Sequence, residues 1–325
     1  YKKNKDNFKS KQIAGLYYLI KSDKYNNLVK SIRKYAYTKI GLLEAEGYYS
    51  SEPLSFENKL QGEFVKLKKG TIWAKNTFDC MWMHCVGHVN ENVGNIENIK
   101  CRIDIGGEGL IYDTQGNALQ GITTFVSEFD YALGKPAKLI VQSNGILNNG
   151  KIEFWIDAAA NDLFGKFQEN AKIKCLEIVK ENCEIRALAY DMEVLISACD
   201  YLDIAKAKEL YRALGQVYKK CKFPMTEKIA SECRQILKPL FNKNENICDF
   251  EYSAIGHGHL DLAWLWPIRE SYRKGLRTFS TQIMNMEKYE DYYFWASQAQ
   301  LFDWIKSLDK NLFSKIHNKV EYLHI

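Results

Sequence analysis

His257, His259 and Asp261 lie in the stretch Ser253–Glu270, which reads SAIGHGHLDLAWLWPIRE, and imidazoles and carboxylates are the side chains that hold divalent metal ions. Spaced two apart, the three point the same way if the chain is extended, because side chains alternate faces along a strand. The Cβ atoms of His259 and Asp261 would then lie roughly 6–7 Å apart. From there an imidazole nitrogen and a carboxylate oxygen can each reach one ion at about 2 Å. On a helix the same two residues would diverge by roughly 200°. The chemistry therefore requires a strand or its immediate exit. The flanking residues supply one: apolar Ala254 and Ile255 lead in, Gly256 and Gly258 keep the backbone free of bulk, and Pro267 suits a first helical turn.

The same residues carry a resemblance. HGHLD followed by AWLWP, and then by a helix with Glu270, Lys274, Arg277, Thr278 and Phe279 at fixed spacing, resembles the start of the catalytic domain of glycoside hydrolase family 38. These are the α-mannosidases, here in their cytosolic, vacuolar and bacterial branch. An isolated His-x-Asp is common by chance, whereas the combined pattern is not. The resemblance runs from about Ser253 to Val320, with a looser one over GEGLIYDTQGNALQGIT, Gly107–Thr123.

The resemblance implies that His259 and Asp261 are two ligands of a divalent cation, zinc or another such as cobalt, which coordinates the hydroxyls of an α-mannoside oligosaccharide or glycoside. It also implies a retaining mechanism with two carboxyls about 5–5.5 Å apart. In the family the nucleophilic Asp and a further His ligand follow this motif, so the nucleophile, the acid/base and the remaining ligands are left unassigned. His257 fits an orienting position behind the ligands better than direct ligation. Trp264 can offer a flat apolar face to a pyranose ring, and Trp266 reads as core. Arg269, Glu270, Lys274 and Arg277 read as surface or interdomain ion pairs without a catalytic role. Two other classes stay open: a metal-dependent deacetylase or amidohydrolase, whose site can also begin with such a strand, and a non-catalytic carbohydrate-binding module.

The elements that would position this stretch follow from the rest of the chain. Its 325 residues are 46% apolar and 13% aromatic, which allows two or three domains with sizeable cores and excludes a disordered chain. The net charge of +5 is spread along the sequence, without the basic stripe that nucleic-acid binding would need. The Lys-rich start reads as a solvated end. Nine cysteines, odd in number and irregularly spaced, argue against a disulfide framework and for a reducing, cytoplasmic compartment. No apolar run of about 18 residues predicts a membrane span, and self-association is left open.

The reading is a multidomain α/β chain: an amino-terminal β-sandwich-like domain with flanking helices, then the start of a parallel β/α barrel-type catalytic domain. Residues 1–69 read as a helical segment, with Leu16, Tyr17, Ile20, Leu28, Ile32 and Tyr35 at helical spacing. Residues 70–156 read as a sandwich of short runs, among them TIWAK, CMWMHCVGHV, CRIDIG, GLIYDT and AKLIVQS, with a hairpin turn at Asp113–Gly116. Within it, His84 and His88 with Cys80 and Cys85 match no usual zinc spacing and read as structural, and Trp73 and Trp82 read as core. Residues 157–249 read as helical, with a buried stripe of Leu188, Met192, Leu195, Cys199 and Leu202, breaks at Pro224 and Pro239, and a linker at 243–249. Asp162 and Asp191 read as capping or solvated acids. From residue 250 to 325 strand 251–259 leads to a helix with Ile268, Tyr272, Leu276, Phe279, Ile283 and Met286 on one face. A second strand, YYFWASQ, ends at Ser297 and Gln298 and leads to a helix with Leu301, Trp304, Ile305 and Leu308. Two such β/α units cannot close a barrel, so the chain is expected to stop inside its catalytic domain.

Overall fold

The computed structural model describes residues 23–90, 95–124, 139–161, 171–241 and 253–322. The chain divides into two units, Tyr1–Thr38 with Lys180–Phe250, and Lys39–Val179 with Glu251–Ile325. Leu16, Tyr17, Ile20, Asp162 and the expected linker at 243–249 lie outside the described residues, as does the beginning of the strand expected at 251–259.

The first unit is helical. It contains α1 (described over 23–33), α2 (Cys183–Ala198), α3 (Ile204–Lys220) and α4 (Glu227–Phe241). Helical periodicity does what it promised here: Leu188, Met192, Leu195 and Cys199 of the α2 stripe are buried with Leu28 and Ile32 of α1. Asp203 starts α3 by accepting the backbone N–H groups of Ala205 and Lys206, both at 2.9 Å, the usual service of an acidic N-cap. Asp191 is held by Arg234 Nε at 2.8 Å, which is a structural ion pair. Pro224 breaks the chain between helices as expected, but Pro239 lies inside α4, in its last turn.

The second unit is a two-sheet sandwich followed by helices. The small sheet has strand order β1-β11-β5-β8, from β1 (Tyr37–Leu42), β5 (Ile99–Asp104), β8 (Ile140–Gln142) and β11 (Cys175–Glu181). The large sheet has the order β3-β2-β4-β10-β6-β7, from β2 (Glu44–Ser50), β3 (Glu63–Leu67), β4 (Cys80–His88), β6 (Glu108–Tyr112), β7 (Ala118–Thr123) and β10 (Lys151–Ala159), with β9 (Leu147–Asn148) paired to β10. Alternation decides which residue goes where. Met81, Met83 and Cys85 of β4, Ile111 of β6, and Phe154, Ile156 and Ala158 of β10 fill the core between the sheets with Ile103 and Ile178. The residues of opposite parity, Trp82, Leu110, Tyr112 and Trp155, form a second apolar layer on the outer face of the large sheet. Trp73 and Trp82 are core residues, 3% and 4% exposed. The expected hairpin turn is present: Asp113 Oδ1 accepts from Gln115 N and Asn117 N, both at 2.8 Å, and Gly116 takes the left-handed φ of +86°.

Several expected boundaries move. Residues 37–67, expected within a helical segment, supply β1, β2 and β3, and residues 157–181, expected to be helical, finish β10 and form β11. The run Ala158–Ala160 favours helix locally, but Ala158 and Ala159 pair with Met81 and Cys80 in β4, and cross-strand pairing overrides propensity. TIWAK is not a strand; it contributes a single bridge from Ile72 to Lys172. His84 stacks on Trp155 with ring centroids 4.4 Å apart, and its Nε2 lies 3.0 Å from Glu153 Oε1. Among the described residues no group of three or more His, Cys, Asp or Glu side chains could hold a metal ion.

After the sandwich, β12 (Gly256–His257) and β13 (Phe294–Trp295) pair in parallel across α5 (Ile268–Lys288), and α6 (Ala299–Leu308) and α7 (Lys310–Tyr322) follow. Phe279, Ile283, Leu301 and Ile305 form the core of this region with Leu312 and Ile316, and Leu308, expected on the buried face of α6, is 52% exposed. The helix α5 packs along β7, and Gly121 permits the approach: a Cβ there would meet Arg277 O at 3.2 Å and Thr281 Oγ1 at 3.1 Å. The Gly121 N–H donates to that same Thr281 hydroxyl at 2.9 Å.

Candidate functional site

The chain leaves β12 at His257, and the next four residues place two candidate ligands together: His259 Nε2 lies 3.0 Å from Asp261 Oδ1. The pair occupies the exit of the strand, not the strand itself, so the alternation argument applies to its end only. Gln298, just past β13, fixes the turn from the other side. Its Nε2 donates to Leu260 O at 2.6 Å and its Oε1 accepts from Leu260 N at 3.1 Å. Leu260 is the residue between the two candidate ligands, so a carboxamide from the second β/α unit holds both the N–H and the C=O of that residue, and with them the two peptide groups that join it to His259 and Asp261. His257, the last residue of β12, is exposed.

His259 and Asp261 line a pocket of about 310 Å³ together with Leu260, Trp264, Trp266, Glu108, Lys274, Arg277 and Thr278. Trp266 is buried and donates its indole N–H to Ser271 Oγ at 2.9 Å; Trp264 stands edge-on to it at 5.5 Å and is 52% exposed. The exposed indole therefore presents a flat apolar surface beside the imidazole–carboxylate pair.

The wall of the pocket that belongs to α5 departs from expectation. The face expected to be apolar is only partly buried: Ile268 is 50% exposed. What the helix buries instead is Glu270, Arg273, Lys274 and Arg277, spaced 0, 3, 4 and 7, one stripe of a helix. Arg273 carried no expectation. Glu270, Lys274 and Arg277 were expected in surface or interdomain ion pairs, and the second of these holds for Lys274 and Arg277, which pair with Glu108 of the sandwich. Strand parity explains the burial. Glu108 of β6 has the parity of Leu110 and Tyr112, Asp157 of β10 has that of Trp155, and Ala159 and Asp157 oppose Glu108 and Leu110 in register. Both carboxylates thus rise from the outer face of the large sheet, and α5 lies over them.

The pairing is complete in charge. Arg273 clamps Asp157 with two nitrogens, Nε to Oδ2 at 3.0 Å and Nη2 to Oδ1, and also donates to Ala158 O at 2.9 Å and Glu270 Oε2 at 3.0 Å. Glu108 Oε2 accepts from Lys274 Nζ at 2.6 Å, Arg277 Nη2 at 2.9 Å and Asn161 Nδ2 at 3.0 Å. Arg277 Nη2 also bonds Glu270 Oε1. Three carboxylates face three cations, so no net charge is buried. Burial pushes the Glu270 carboxyl up, but Arg277 and Arg273 more than offset that and hold it below the ordinary carboxylate value of 4.5. Burial raises the Cys80 thiol, which accepts from Arg273 Nη1 at 3.3 Å, to about 11, against the pull of that guanidinium.

A depressed carboxyl contributes stability that is present above its unfolded pKa and lost as pH falls through the lower folded value. Acid unfolding of this unit should therefore steepen below about pH 4.5, with the protonation of Glu270 taking part. Glu270→Gln should start less stable at neutral pH and show a shallower acid limb in urea titrations at a series of pH values. A parallel pH dependence in both proteins would remove Glu270 from the effect.

The matched families agree with this anatomy. Residues 40–185 match the model described as alpha-mannosidase, jelly roll domain, and residues 249–324 match the model of the glycosyl hydrolases family 38 N-terminal domain. Together the two matches liken most of the chain to the amino-terminal portion of the α-mannosidases of glycoside hydrolase family 38. Among individual relatives it is 25% identical over 285 residues to Alpha-mannosidase 2C1 of Mus musculus and 26% identical over 288 residues to Alpha-mannosidase 2C1 of Homo sapiens. In both cases 83% of this chain is covered and 26% of the relative. It is also 26% identical over 292 residues to Alpha-mannosidase G of Dictyostelium discoideum, covering 83% of this chain and 25% of that protein. The chain thus spans about a quarter of the length of these relatives. No helix among the described residues is long and apolar enough to cross a membrane.

Proposed function

We propose that this chain carries the opening of the sugar site of a retaining α-mannosidase acting on mannose-containing glycosides in the cytoplasm, with β12, α5 and β13 as the first turn of a β/α barrel. The observation that supports it is the His259–Asp261 pair, facing each other at 3.0 Å beside the exposed Trp264. A divalent cation fits this pair in donor chemistry, since an imidazole nitrogen and a carboxylate oxygen already stand side by side at 3.0 Å. Zinc or cobalt bound there would supply orientation of the sugar hydroxyls. The chain's own residues do the remainder of the positioning. His259 and Asp261 contribute the nitrogen and the oxygen, Gln298 holds the residue between them, and Trp264 faces the apolar side of the pyranose.

The test is substrate preference of the natural polypeptide that carries this chain: nitrophenyl α-mannoside should be hydrolysed with retention, and N-acetylated sugars should not be deacetylated. Deacetylation without glycoside cleavage would favour the other hydrolase class. Gln298→Leu keeps the bulk and removes both hydrogen bonds to Leu260, so it should weaken metal affinity about 10–100-fold, as loss of ligand-orienting partners does. Metal titration followed by calorimetry reads this directly; unchanged affinity would mean that the turn holds its shape without Gln298.

A further inference from the structure

The helical unit contains a feature that the mannosidase reading does not use. α3 ends at Lys220, and Cys221 follows as its cap, its N–H donating to Val217 O at 2.8 Å. α4 carries Cys233 on its buried face, three residues from Ala230 and four from Leu237. The two sulfurs lie 3.9 Å apart. The residues immediately before each, Lys220 and Glu232, form an exposed ion pair, Nζ to Oε2 at 2.7 Å. The ion pair and the thiol pair thus bridge the two helices side by side. Cys221 is half-buried and Cys233 is fully buried, so a reagent in solution meets Cys221 first.

We propose that Cys221 and Cys233 form a reversible disulfide modification site, closed by a low-molecular-weight disulfide such as oxidised glutathione and opened by a thiol reductant. The Cys221 thiolate attacks one sulfur of oxidised glutathione. That S–S bond breaks, a mixed disulfide forms on Cys221, and one glutathione thiolate leaves and takes up a proton. Cys233 then attacks Cys221 Sγ, the mixed disulfide breaks, and the second glutathione leaves. Two protein thiols are oxidised and the oxidant is reduced to two glutathione molecules. The sulfurs must close from 3.9 Å to about 2.05 Å, a movement within reach of side-chain rotation. In the reduced pair the shared hydrogen bond raises the Cys221 thiol, so exposure and not acidity makes it the first sulfur to react. Once it carries glutathione that hydrogen bond is gone, and Cys233 resolves the mixed disulfide because it lies 3.9 Å from Cys221 Sγ. The sandwich cysteines Cys85 and Cys101 are fully buried, and this keeps a reagent in solution from reaching them.

The experiment is oxidation of the chain with oxidised glutathione, then alkylation and tryptic mapping without reduction. Trypsin cuts at Lys222 and Lys228, so the two cysteines fall on separate peptides. The expected result is a disulfide-linked pair of those peptides, lost on reduction, with slower amide hydrogen exchange in α3 and α4 of the oxidised chain. Cys233→Ser should instead stop at a stable glutathione adduct on Cys221, and Cys221→Ser should leave Cys233 as a free thiol. A persistent adduct on Cys221 in the unaltered chain, a different cysteine pair, or exchange unchanged by oxidation would overturn the proposal.

Discussion

Arg273→Ala should destabilise the sandwich-bearing unit by about 3–5 kcal/mol, the range for removing one partner of a buried ion pair. The side chain is 6% exposed and serves Asp157, Glu270 and Ala158 O at once. Without it, Asp157 and Glu270 keep their desolvation cost and lose their nearest compensation. Arg273→Lys preserves the charge but cannot reproduce a two-nitrogen clamp on Asp157, so it should fall between the wild type and Arg273→Ala. The coupling is also predicted. Arg273→Met combined with Asp157→Asn should cost less than the sum of the two single changes, because the second substitution removes the charge that the first one orphaned. Urea unfolding of the four proteins of that cycle measures it, and strict additivity would mean that the two side chains act independently.

This network is also where the sequence was least legible. Charged residues in a helix are ordinarily solvated, so Glu270, Lys274 and Arg277 read as surface or interdomain ion pairs, with no partner named and Arg273 not singled out. The burial of this stripe depends on Glu108 and Asp157, more than a hundred residues earlier, rising from the same face of two adjacent strands. That coincidence of strand parity and register leaves no local signal. β1 escaped for a different reason: its burial alternates poorly, with Thr38, Lys39 and Ile40 all exposed, so no period-two pattern marks it. The approach of His259 to Asp261 was legible because it is local. Two residues at an i, i+2 spacing after a short strand are near each other by chain connectivity, and Gln298 then holds the residue between them. Gln298 could be placed at the end of the second strand, but its grip on Leu260 depends on the parallel pairing of β12 and β13, which two short runs in a sequence do not fix. Trp266 and Trp264 separated as expected, one buried on Ser271 and the other exposed.

The second large effect concerns the ligand pair. In the natural polypeptide carrying this chain, His259→Ala and Asp261→Ala should each remove one ligand of a site that needs about three from protein. The expected loss of turnover on an aryl α-mannoside is about 10³-fold or more, several kcal/mol of transition-state stabilisation. Folding should survive, because both side chains are largely exposed, 67% and 45%, and the interactions that hold α5 to the sandwich do not involve them. This separates the pair from Arg273, whose loss should reach activity only through stability.

The most direct measurement is the metal content of the purified protein set beside its aryl α-mannoside turnover, for the wild type and for the double variant His259→Ala, Asp261→Ala. The account predicts bound zinc or cobalt and turnover in the wild type, and neither in the double variant, at an unchanged melting midpoint. A double variant that keeps its metal and its turnover would contradict the assignment of His259 and Asp261 to the site.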